Sequence, residues 1–385
     1  MIRIRLPETV LERAKMRIRW CFEEFGEGKV GVSVSGGKDS TVLIELTLIV
    51  AKELGIAKVP VMWLDQECEF ESTVEYCRWL MHREGVEPLW MQIPFRLFNT
   101  TTHGHDQWLH VWGPGEEWVR DREPDSLHEN IYGTDRFGKV LTAIGDHHFE
   151  DGCLLMGMRT EEAPWRRLGL TTMPTYKWVT WGAIMPKHSL LAPIYDWTWR
   201  DIWKAIHEHG WRYNTHYDDQ YRRGVPVQNM RVSNYHHETA ISSLFYLQEI
   251  EPETYDAAVR RLEGIATCAR LGRSDVVPKK LPFMFGTWRE YRDYLIDHLP
   301  TPENAKIFKE RFHHLEQTRP HLFADPQVAL LVYRAEVRSV VMNDWEAVLF
   351  DGFMNNLPSK LRNLPVRGRK HEAVLEGAGS VRGWA

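Results

Sequence analysis

The feature that most constrains this sequence is the run Ser35–Ser40, which reads SGGKDS and lies between two apolar segments. Residues 29–34 are a short β-branched run typical of a buried strand, and residues 39–54 are apolar almost all round, as in a buried helix. Gly36 and Gly37 allow the backbone to form a tight turn and to approach a ligand closely. Backbone N–H groups converge where a strand, a glycine turn and a helix start meet, so the run predicts an anion-binding loop.

The side chains of this loop suit phosphate groups. Ser35 and Ser40 offer hydroxyl donors, Lys38 offers a positive charge, and Asp39 can cap amides or help to hold Mg²⁺. The loop is not a Walker A motif, which requires Ser or Thr after the lysine, because Asp39 follows Lys38. An ordinary glycine turn is the alternative, but the complete run at a strand–helix junction favours a phosphate-binding loop.

Predicted strands alternate with predicted helices through the first half of the chain. The strands are predicted at 29–34, 59–64, 87–93, 154–158 and 189–194, and the helices at 8–25, 39–54, 70–84, 136–150 and 198–209. This alternation predicts an α/β fold, a parallel sheet with helices on both faces. Residues 95–135 and 165–188 interrupt the alternation and are interpreted as insertions, the first of them as an insertion or lid.

The strand pattern fades after about residue 233. Helices are predicted at 239–250, 252–264, 287–298, 302–316 and 326–350. We therefore expect three parts: a nucleotide-binding α/β domain at 1–232, a helical C-terminal region at 233–365, and a flexible tail at 366–385.

Composition argues against several classes of protein. The chain has 48 Lys and Arg against 53 Asp and Glu, a net charge of −5, which does not indicate a globally basic nucleic-acid binder. It has no run of about 18 apolar residues and no secretory pattern, so neither a transmembrane helix nor a membrane partner is expected. Its five cysteines form no CxxC pair. We therefore expect a reducing, cytoplasmic location and no disulfide framework or iron–sulfur cluster.

Charged residues follow two of the predicted strands. Asp65 ends the strand at 59–64, and Gly157, Arg159 and Arg166 follow the strand at 154–158. Ligands in open α/β sheets bind at this carboxyl edge. Asp65, together with Asp39, is a candidate Mg²⁺ ligand, and a helix cap is the alternative for Asp65. The two arginines suit a phosphate or a sulfate-like group, and ion pairing with Glu161 and Glu162 is their alternative role.

Four segments together resemble a known family. Ser35–Ser40 resembles the PP-motif of the ATP pyrophosphatase (adenine nucleotide alpha hydrolase) superfamily. Residues 61–71, which read VMWLDQECEFE, look like the acidic strand end of the phosphoadenosine phosphosulfate (PAPS) reductase family. Residues 157–162 (GMRTEE) are similar to that family's second signature, and residues 193–203 resemble its closing segment. Residues 230–252 look like a branch of the family that includes IbrA-like proteins.

The resemblance implies chemistry at the α-phosphate of ATP or a related adenine nucleotide, with Mg²⁺ as a further expectation. A nucleophile attacks the α-phosphorus and pyrophosphate leaves. The residues carried over as catalytic are Lys38, Asp39 and Arg159. Those carried over as nucleotide-binding are Ser35, Gly36, Gly37, Lys38, Asp39, Ser40, Asp65, Gly157, Arg159 and Arg166.

One departure limits the resemblance. PAPS reductases carry a catalytic cysteine in a Glu-Cys-Gly-Leu-His motif near the C-terminus, whereas the last cysteine here is Cys268 in the sequence ATCAR. The nucleotide site is therefore carried over and the reduction step is not. A redox or sulfur-carrying role for Cys68, which lies just beyond Asp65, is left open.

Two other functions stay open at this point. A nucleic-acid (sulfur) modification component would use basic residues of the C-terminal half, which include Arg260, Arg261, Arg270, Arg273, Lys279, Lys280, Arg362, Arg367, Arg369 and Lys370. A nucleotide-sensing regulator would bind without turnover and act on a partner protein. A solvated helix face is the simpler interpretation of the basic residues.

Overall fold

The computed structural model describes most of the chain. The described residues are 8–99, 108–162, 166, 181–237, 241–262, 264–268, 278, 280–299, 302–342, 344 and 347–362. They belong to two compact units. The first contains the described residues within 1–97, 108–235 and 247–261, and the second those within 98–107, 236–246 and 262–385. The predicted division at residues 232–233 stays a prediction, and the tail at 366–385 lies outside the described residues.

Eight strands are described, and six of them form the main sheet. Their bounds are β1 Val30–Ser33, β2 Val59–Leu64, β3 Val86–Met91, β4 Phe95–Phe98, β5 Trp108–Val111, β6 Gly152–Met156, β7 Trp181–Ile184 and β8 His188–Ala192. The order in the main sheet is β3-β2-β1-β6-β8-β7, and β4 pairs with β5 in a separate ribbon. All neighbours in the main sheet run parallel except β7 and β8.

Helices flank this sheet in the first unit. Their bounds are α1 Val10–Phe25, α2 Lys38–Glu53, α3 Glu71–Met81, α4 Phe137–His148, α5 Trp199–His209, α6 His216–Arg222 and α8 Pro252–Arg261, with a 3₁₀ turn at Val227–Asn229. The described helices elsewhere are α7 Ile241–Ile250, α9 Ile265–Cys268, α10 Trp288–Asp297, α11 Pro302–Thr318, α12 His321–Ala324, α13 Pro326–Val341 and α14 Val348–Arg362. A mostly parallel sheet with flanking helices and a helical C-terminal region confirms the predicted fold class. No described helix combines the length and apolar character of a membrane-crossing segment.

The centre of the sheet is its most buried part. Val30 and Val32 of β1 are fully buried and pair with Cys153 and Leu155 of β6. All six residues of β2 are buried as well. A parallel strand covered on both faces is apolar along its whole length, which explains why β1 and β2 show no polar alternation. The carboxyl ends of β1, β2 and β6 therefore lie next to one another at one edge of the sheet.

Two elements differ from the sequence-based expectations. Residues 165–188 were expected to be irregular, but Trp181–Ile184 is a strand that pairs antiparallel with β8. Of the rest of that segment, residues 165 and 167–180 lie outside the described residues. The single helix predicted at 326–350 is two helices, α13 and α14.

Candidate nucleotide-binding site

The turn between β1 and α2 is closed by a glycine that no other residue can replace without strain. Gly36 has φ +69°, and a Cβ atom there would lie 2.7 Å from the Thr73 side chain and 3.2 Å from Cys77 Sγ. Asn214 fixes the same turn, because its side-chain amide donates to the Gly36 carbonyl at 3.2 Å and to Thr73 Oγ1 at 2.9 Å. Helix α3 and the segment before α6 thus set the shape of the loop.

The first turn of α2 is built for hydrogen-bond acceptors. Gly37 is the N-cap residue and supplies no side-chain cap. The backbone N–H of Lys38 donates instead to the hydroxyl of Tyr217 at 2.9 Å. The Ser40 hydroxyl donates to the Gly37 carbonyl at 2.9 Å and accepts from the Ser35 amide at 3.4 Å. The helix dipole at the N-terminus of α2 favours an anion at this position.

Lys38 lies under the loop rather than in solvent. It is 5% exposed, its Nζ donates to the Met230 carbonyl at 2.8 Å, and it lies 3.7 Å from the Asp39 carboxylate. Burial lowers the pKa of Lys38, and the nearby charges of Arg159 and Arg231 lower it further, while Asp39 raises it. A buried ammonium with a depressed pKa gains from a dianionic ligand, because the ligand charge offsets its desolvation.

The end of β6 meets the start of α2 through Gly157 and Arg159. A Cβ on Gly157 would lie 2.9 Å from the backbone of Asp39 and Ser40, so only glycine allows this approach. The Nε of Arg159 donates to Asp39 Oδ1 at 2.5 Å, and its Nη1 donates to Glu161 at 3.1 Å. The structure therefore brings together the residues that the sequence placed in one site from two distant segments.

Arg166 lies close enough to the loop for the same charged residues to act on it. It forms an ion pair with Glu162, and the charges of Asp39, Arg159 and Arg231 all act on its guanidinium. Burial lowers the pKa of Arg166. Its neighbours at 163–165 and 167–170 lie outside the described residues.

Asp65 has a different environment from the one expected of a metal ligand. It is fully buried, and its carboxylate accepts from Trp90 Nε1 at 3.0 Å, Gln92 Nε2 at 2.9 Å, Arg120 Nη2 at 2.5 Å and the Glu67 amide at 2.9 Å. Four donors occupy both carboxylate oxygens, so the surroundings of Asp65 do not fit a Mg²⁺ ligand. No group of three His, Cys, Asp or Glu residues among the described part of the chain could hold a metal ion.

The acidic residues after Asp65 are buried and held by partners. Glu67 has φ +66° and accepts from the Trp112 amide at 2.8 Å and from Arg261 Nε at 2.7 Å. Glu69 accepts from the Asn234 side chain at 2.5 Å. Burial raises the pKa of Glu69 to about 8, and the charge of Asp65 adds to this effect. Glu69 therefore keeps its proton at neutral pH.

Cys68 does not have the environment of a reactive thiol. Its side chain is fully buried, and burial together with the adjacent Glu67 raises its pKa well above the ordinary value. The thiolate is the nucleophilic form of cysteine, so this environment suppresses reactivity. Cys21, Cys77 and Cys153 are buried as well.

Two of the basic residues considered for nucleic-acid binding take part in internal ion pairs. Arg260 pairs with Glu117 at 3.1 Å. The side chain of Arg261 is 8% exposed and pairs with Glu67 at 2.7 Å and Glu116 at 3.0 Å. Of the remaining candidates, Arg270, Arg273, Lys279, Arg367, Arg369 and Lys370 lie outside the described residues, as does the side chain of Arg362.

Sequence reasoning did not assign Tyr217, Asn214 or Arg231 to the site. Tyr217 and Asn214 reach the loop from 179 and 178 residues away in the chain. Neither belongs to a recognisable phosphate motif, so no sequence signal pointed to them. Arg231 lies in a segment that was used only for the resemblance to a branch of the family.

Solved structures and a curated protein are similar to parts of this chain. A phosphoadenylyl-sulfate (PAPS) reductase from Candida auris, in a phosphate complex, is 11% identical with a TM-score of 0.31, covering 58% of this chain and 89% of its own. Candida glabrata FMN adenylyltransferase, in complex with FAD and inorganic pyrophosphate, is 13% identical with a TM-score of 0.35, covering 55% and 62%. The Escherichia coli (strain K12) protein described as "Uncharacterized protein YbdN" is 26% identical over 322 residues, covering 77% of each chain.

Two family models match successive parts of the sequence. Residues 224–318 match a domain of unknown function, DUF3440. Residues 29–224 match the phosphoadenosine phosphosulfate reductase domain, and this match includes the loop, Arg159 and Tyr217. The narrower assignment to an IbrA-like branch stays a prediction. Because the PAPS reductase match covers just over half of the residues, the chain belongs to the phosphoadenosine phosphosulfate reductase domain family, a family of nucleotide-handling enzymes.

Proposed function

We propose that this protein binds an adenine nucleotide at Ser35–Ser40 and acts at the α-phosphate. The substrate is ATP, with release of pyrophosphate as the adenylyl group passes to an acceptor, or an adenylyl-sulfate nucleotide. The observation that carries the proposal is the convergence of Lys38 and Arg159 on Asp39 at the N-terminus of α2. Positive groups fixed beside backbone donors stabilise a leaving pyrophosphate more than they stabilise the bound substrate.

The loop residues have separate roles in this proposal. Gly36 and Gly37 allow phosphate oxygens to approach the backbone, and Ser35 and Ser40 supply hydroxyl donors. Lys38 and Arg159 balance negative charge on the transferred and leaving groups. Asp39 orients both cations, and Mg²⁺ would reach the site with the nucleotide phosphates, where Asp39 is the available carboxylate.

The cysteines support a reaction other than PAPS reduction. Reduction by the family reaction requires a nucleophilic thiol, and the four cysteines whose side chains are described are all buried. The side chain of Cys268 lies outside the described residues, and its sequence context lacks the reductase motif. We therefore propose a nucleotidyl-transfer or sulfonucleotide-handling reaction.

Pyrophosphate release tests the proposal directly. The purified protein is incubated with ATP, Mg²⁺ and a panel of carboxylate, amine and thiol acceptors, and pyrophosphate is measured. Lys38→Met should reduce the rate by about 100-fold or more, since a fixed cation at a developing charge contributes on that scale. Lys52→Met is the matched control, because Lys52 is exposed in the last turn of the same helix and should leave the rate unchanged.

Binding measurements separate catalysis from sensing. Tight ATP binding without any product over long incubation with every acceptor would favour a nucleotide-sensing regulator. A wild-type protein that neither binds nor cleaves ATP or an adenylyl-sulfate nucleotide would refute the proposal in both forms.

A further inference from the structure

The segment after α6 contacts the phosphate loop although it belongs to the second family match. It contains the 3₁₀ turn Val227–Asn229 and then Met230, which is 2% exposed. The Met230 carbonyl accepts from Lys38 Nζ at 2.8 Å, so this segment supplies one of the three acceptors that a lysine ammonium can use. The first residues of the DUF3440 match, which starts at residue 224, thus pack against the central lysine of the loop.

Gln220 holds the next residue in place. Its side-chain amide donates to the Arg231 carbonyl at 2.8 Å, and its Oε1 accepts from the Arg231 amide at 3.2 Å. Gln220 itself is 3% exposed on α6, the helix that also carries Tyr217. A paired amide contact of this kind fixes the backbone of one residue as a strand neighbour would. The start of the Arg231 side chain is therefore positioned, although the residue as a whole is exposed.

Arg231 differs from the other cations of the site in having no acidic partner among the described residues. Lys38 pairs with Asp39, Arg159 with Asp39 and Glu161, and Arg166 with Glu162. Within the described part of the chain, no ion pair engages the Arg231 guanidinium. Its charge nevertheless acts on both Lys38 and Arg166 and lowers the pKa of each. The backbone contacts thus hold Arg231 next to Met230, whose carbonyl contacts Lys38.

We propose that Arg231 is a phosphate-contacting residue that binds the pyrophosphate end of the nucleotide, and that residues 227–231 complete the site of the family domain that precedes them. This inference rests on the proposed function. In the proposed function the loop of Lys38 holds the β- and γ-phosphates, and Arg231 follows the residue whose carbonyl Lys38 contacts. The charge of Arg231 acts on Lys38, and a polyphosphate bound between the two cations would relieve their repulsion.

Affinities for three ligands test this role. Calorimetry measures the binding of inorganic pyrophosphate, ATP and AMP to the full-length wild type and its variants. Arg231→Ala should weaken pyrophosphate and ATP binding by roughly tenfold or more, the scale of a charge-assisted phosphate contact, and AMP binding by less than about twofold. Arg231→Lys should restore part of the loss. Arg222→Ala is the matched control, since Arg222 is 75% exposed and pairs only with Asp219 among the described residues.

Gln220 provides a second test, as a positioning residue that acts through Arg231. Gln220→Ala should also weaken pyrophosphate binding, but it should add little to the loss in the Arg231→Ala background, because the two changes remove one contact. Full additivity of the two losses would show that Gln220 acts independently of Arg231.

The outcomes separate this inference from the proposed function. A wild type that binds ATP and pyrophosphate, with Arg231→Ala binding them equally well, overturns the role of Arg231 and leaves the loop assignment standing. Equal losses for AMP and ATP in Arg231→Ala would also overturn it. A wild type that binds none of the three ligands overturns both.

Discussion

At the scale of single residues, the contact between Gly157 and the start of α2 makes the sharpest prediction. An alanine Cβ there would lie 2.9 Å from backbone atoms of Asp39 and Ser40, which cannot move without shifting the loop. Gly157→Ala should weaken ATP binding by about tenfold or more, because a small displacement of catalytic groups is costly. Gly138→Ala is the control, since Gly138 is exposed in α4 with open space around its Cβ position. Calorimetric affinities for the two variants should therefore differ, and equal affinities would contradict the prediction.

Glu69 makes a prediction about pH. Its pKa is about 8 in the folded protein against an ordinary value of 4.5. The folded state keeps the proton that the unfolded chain releases, so the unfolding free energy falls as pH rises from about 4.5 to about 8. Glu69→Gln removes the titrating group. The wild type should therefore lose stability relative to this variant by up to about 1.4 kcal/mol per pH unit.

Urea unfolding at several pH values across this range measures the difference. The Asn234 side chain can still donate to a glutamine oxygen at position 69, so the variant keeps its main contact. Glu75→Gln is the matched control, because Glu75 is exposed on α3 and the same substitution there removes no buried carboxyl. A difference that is constant with pH for Glu69→Gln would show that Glu69 titrates normally.

The sequence predicted some residues of the site and could not predict others. Lys38 and Asp39 were found because their neighbours in the chain form a recognisable run, and Arg159 because it follows a strand of the same sheet. Tyr217 and Asn214 touch the loop only after the chain has folded back on itself. Asp65 was assigned from its position at a strand end. Its role depends on the hydrogen-bond donors around it. They belong to residues 67–120 and cannot be identified from the sequence next to Asp65.

At the scale of elements, the alternation of strands and helices was predictable because it follows from periodicity. The first unit's strands β1, β2, β3, β6 and β8 all fall within a few residues of their predicted positions. The start of α5 was predictable as well. Thr198 and Asp201 form a capping box there, in which each side chain accepts from the other residue's amide. Trp197, just before this helix, packs in the core.

The elements that the sequence did not predict have local sequences that favour another interpretation. Strand β7 contains Gly182, a residue depleted in strands, but a Cβ there would lie 2.3 Å from the Leu190 carbonyl of β8. The glycine is thus a requirement of close strand pairing. The break between α13 and α14 depends on Asp344, whose carboxylate accepts from the Ser339 hydroxyl at 3.3 Å and the Phe350 amide at 2.8 Å. Ala347 follows with φ +62°, which no apolar periodicity reveals.

At the scale of the whole molecule, each unit has its own apolar core. The core of the first unit surrounds β1 and α2. The core of the second unit contains Phe308, Phe312, Val332 and other residues of α10 to α14. The two family models, which meet at residue 224, divide the chain differently from the two compact units. The PAPS reductase domain match, which ends at residue 224, does not include the second core. The stability of that core therefore has to be explained by its own contacts.

A buried ion pair in the second unit gives the prediction at this scale. Arg292 on α10 is 5% exposed and donates to the fully buried Glu336 of α13 at 2.6 Å. Arg292→Met should destabilise the protein by about 3–5 kcal/mol, because it leaves a buried carboxyl without its cation. The double variant Arg292→Met/Glu336→Leu should recover most of this loss, since apolar side chains of similar volume often replace a buried pair at little cost.

Urea unfolding and hydrogen exchange of the α10 and α13 amides measure both variants. Arg289→Met is the matched control, because Arg289 is 55% exposed on the same helix and its ion pair with Glu316 spans 3.3 Å. An exposed pair contributes at most about 1 kcal/mol, so this control should unfold almost like the wild type. Faster hydrogen exchange in the Arg292→Met variant but not in the double variant would show that the Arg292–Glu336 pair stabilises α10 and α13. Equal destabilisation by the single and double variants would show instead that the contacts of the Arg292 guanidinium with the Phe312 and Tyr333 rings make the larger contribution.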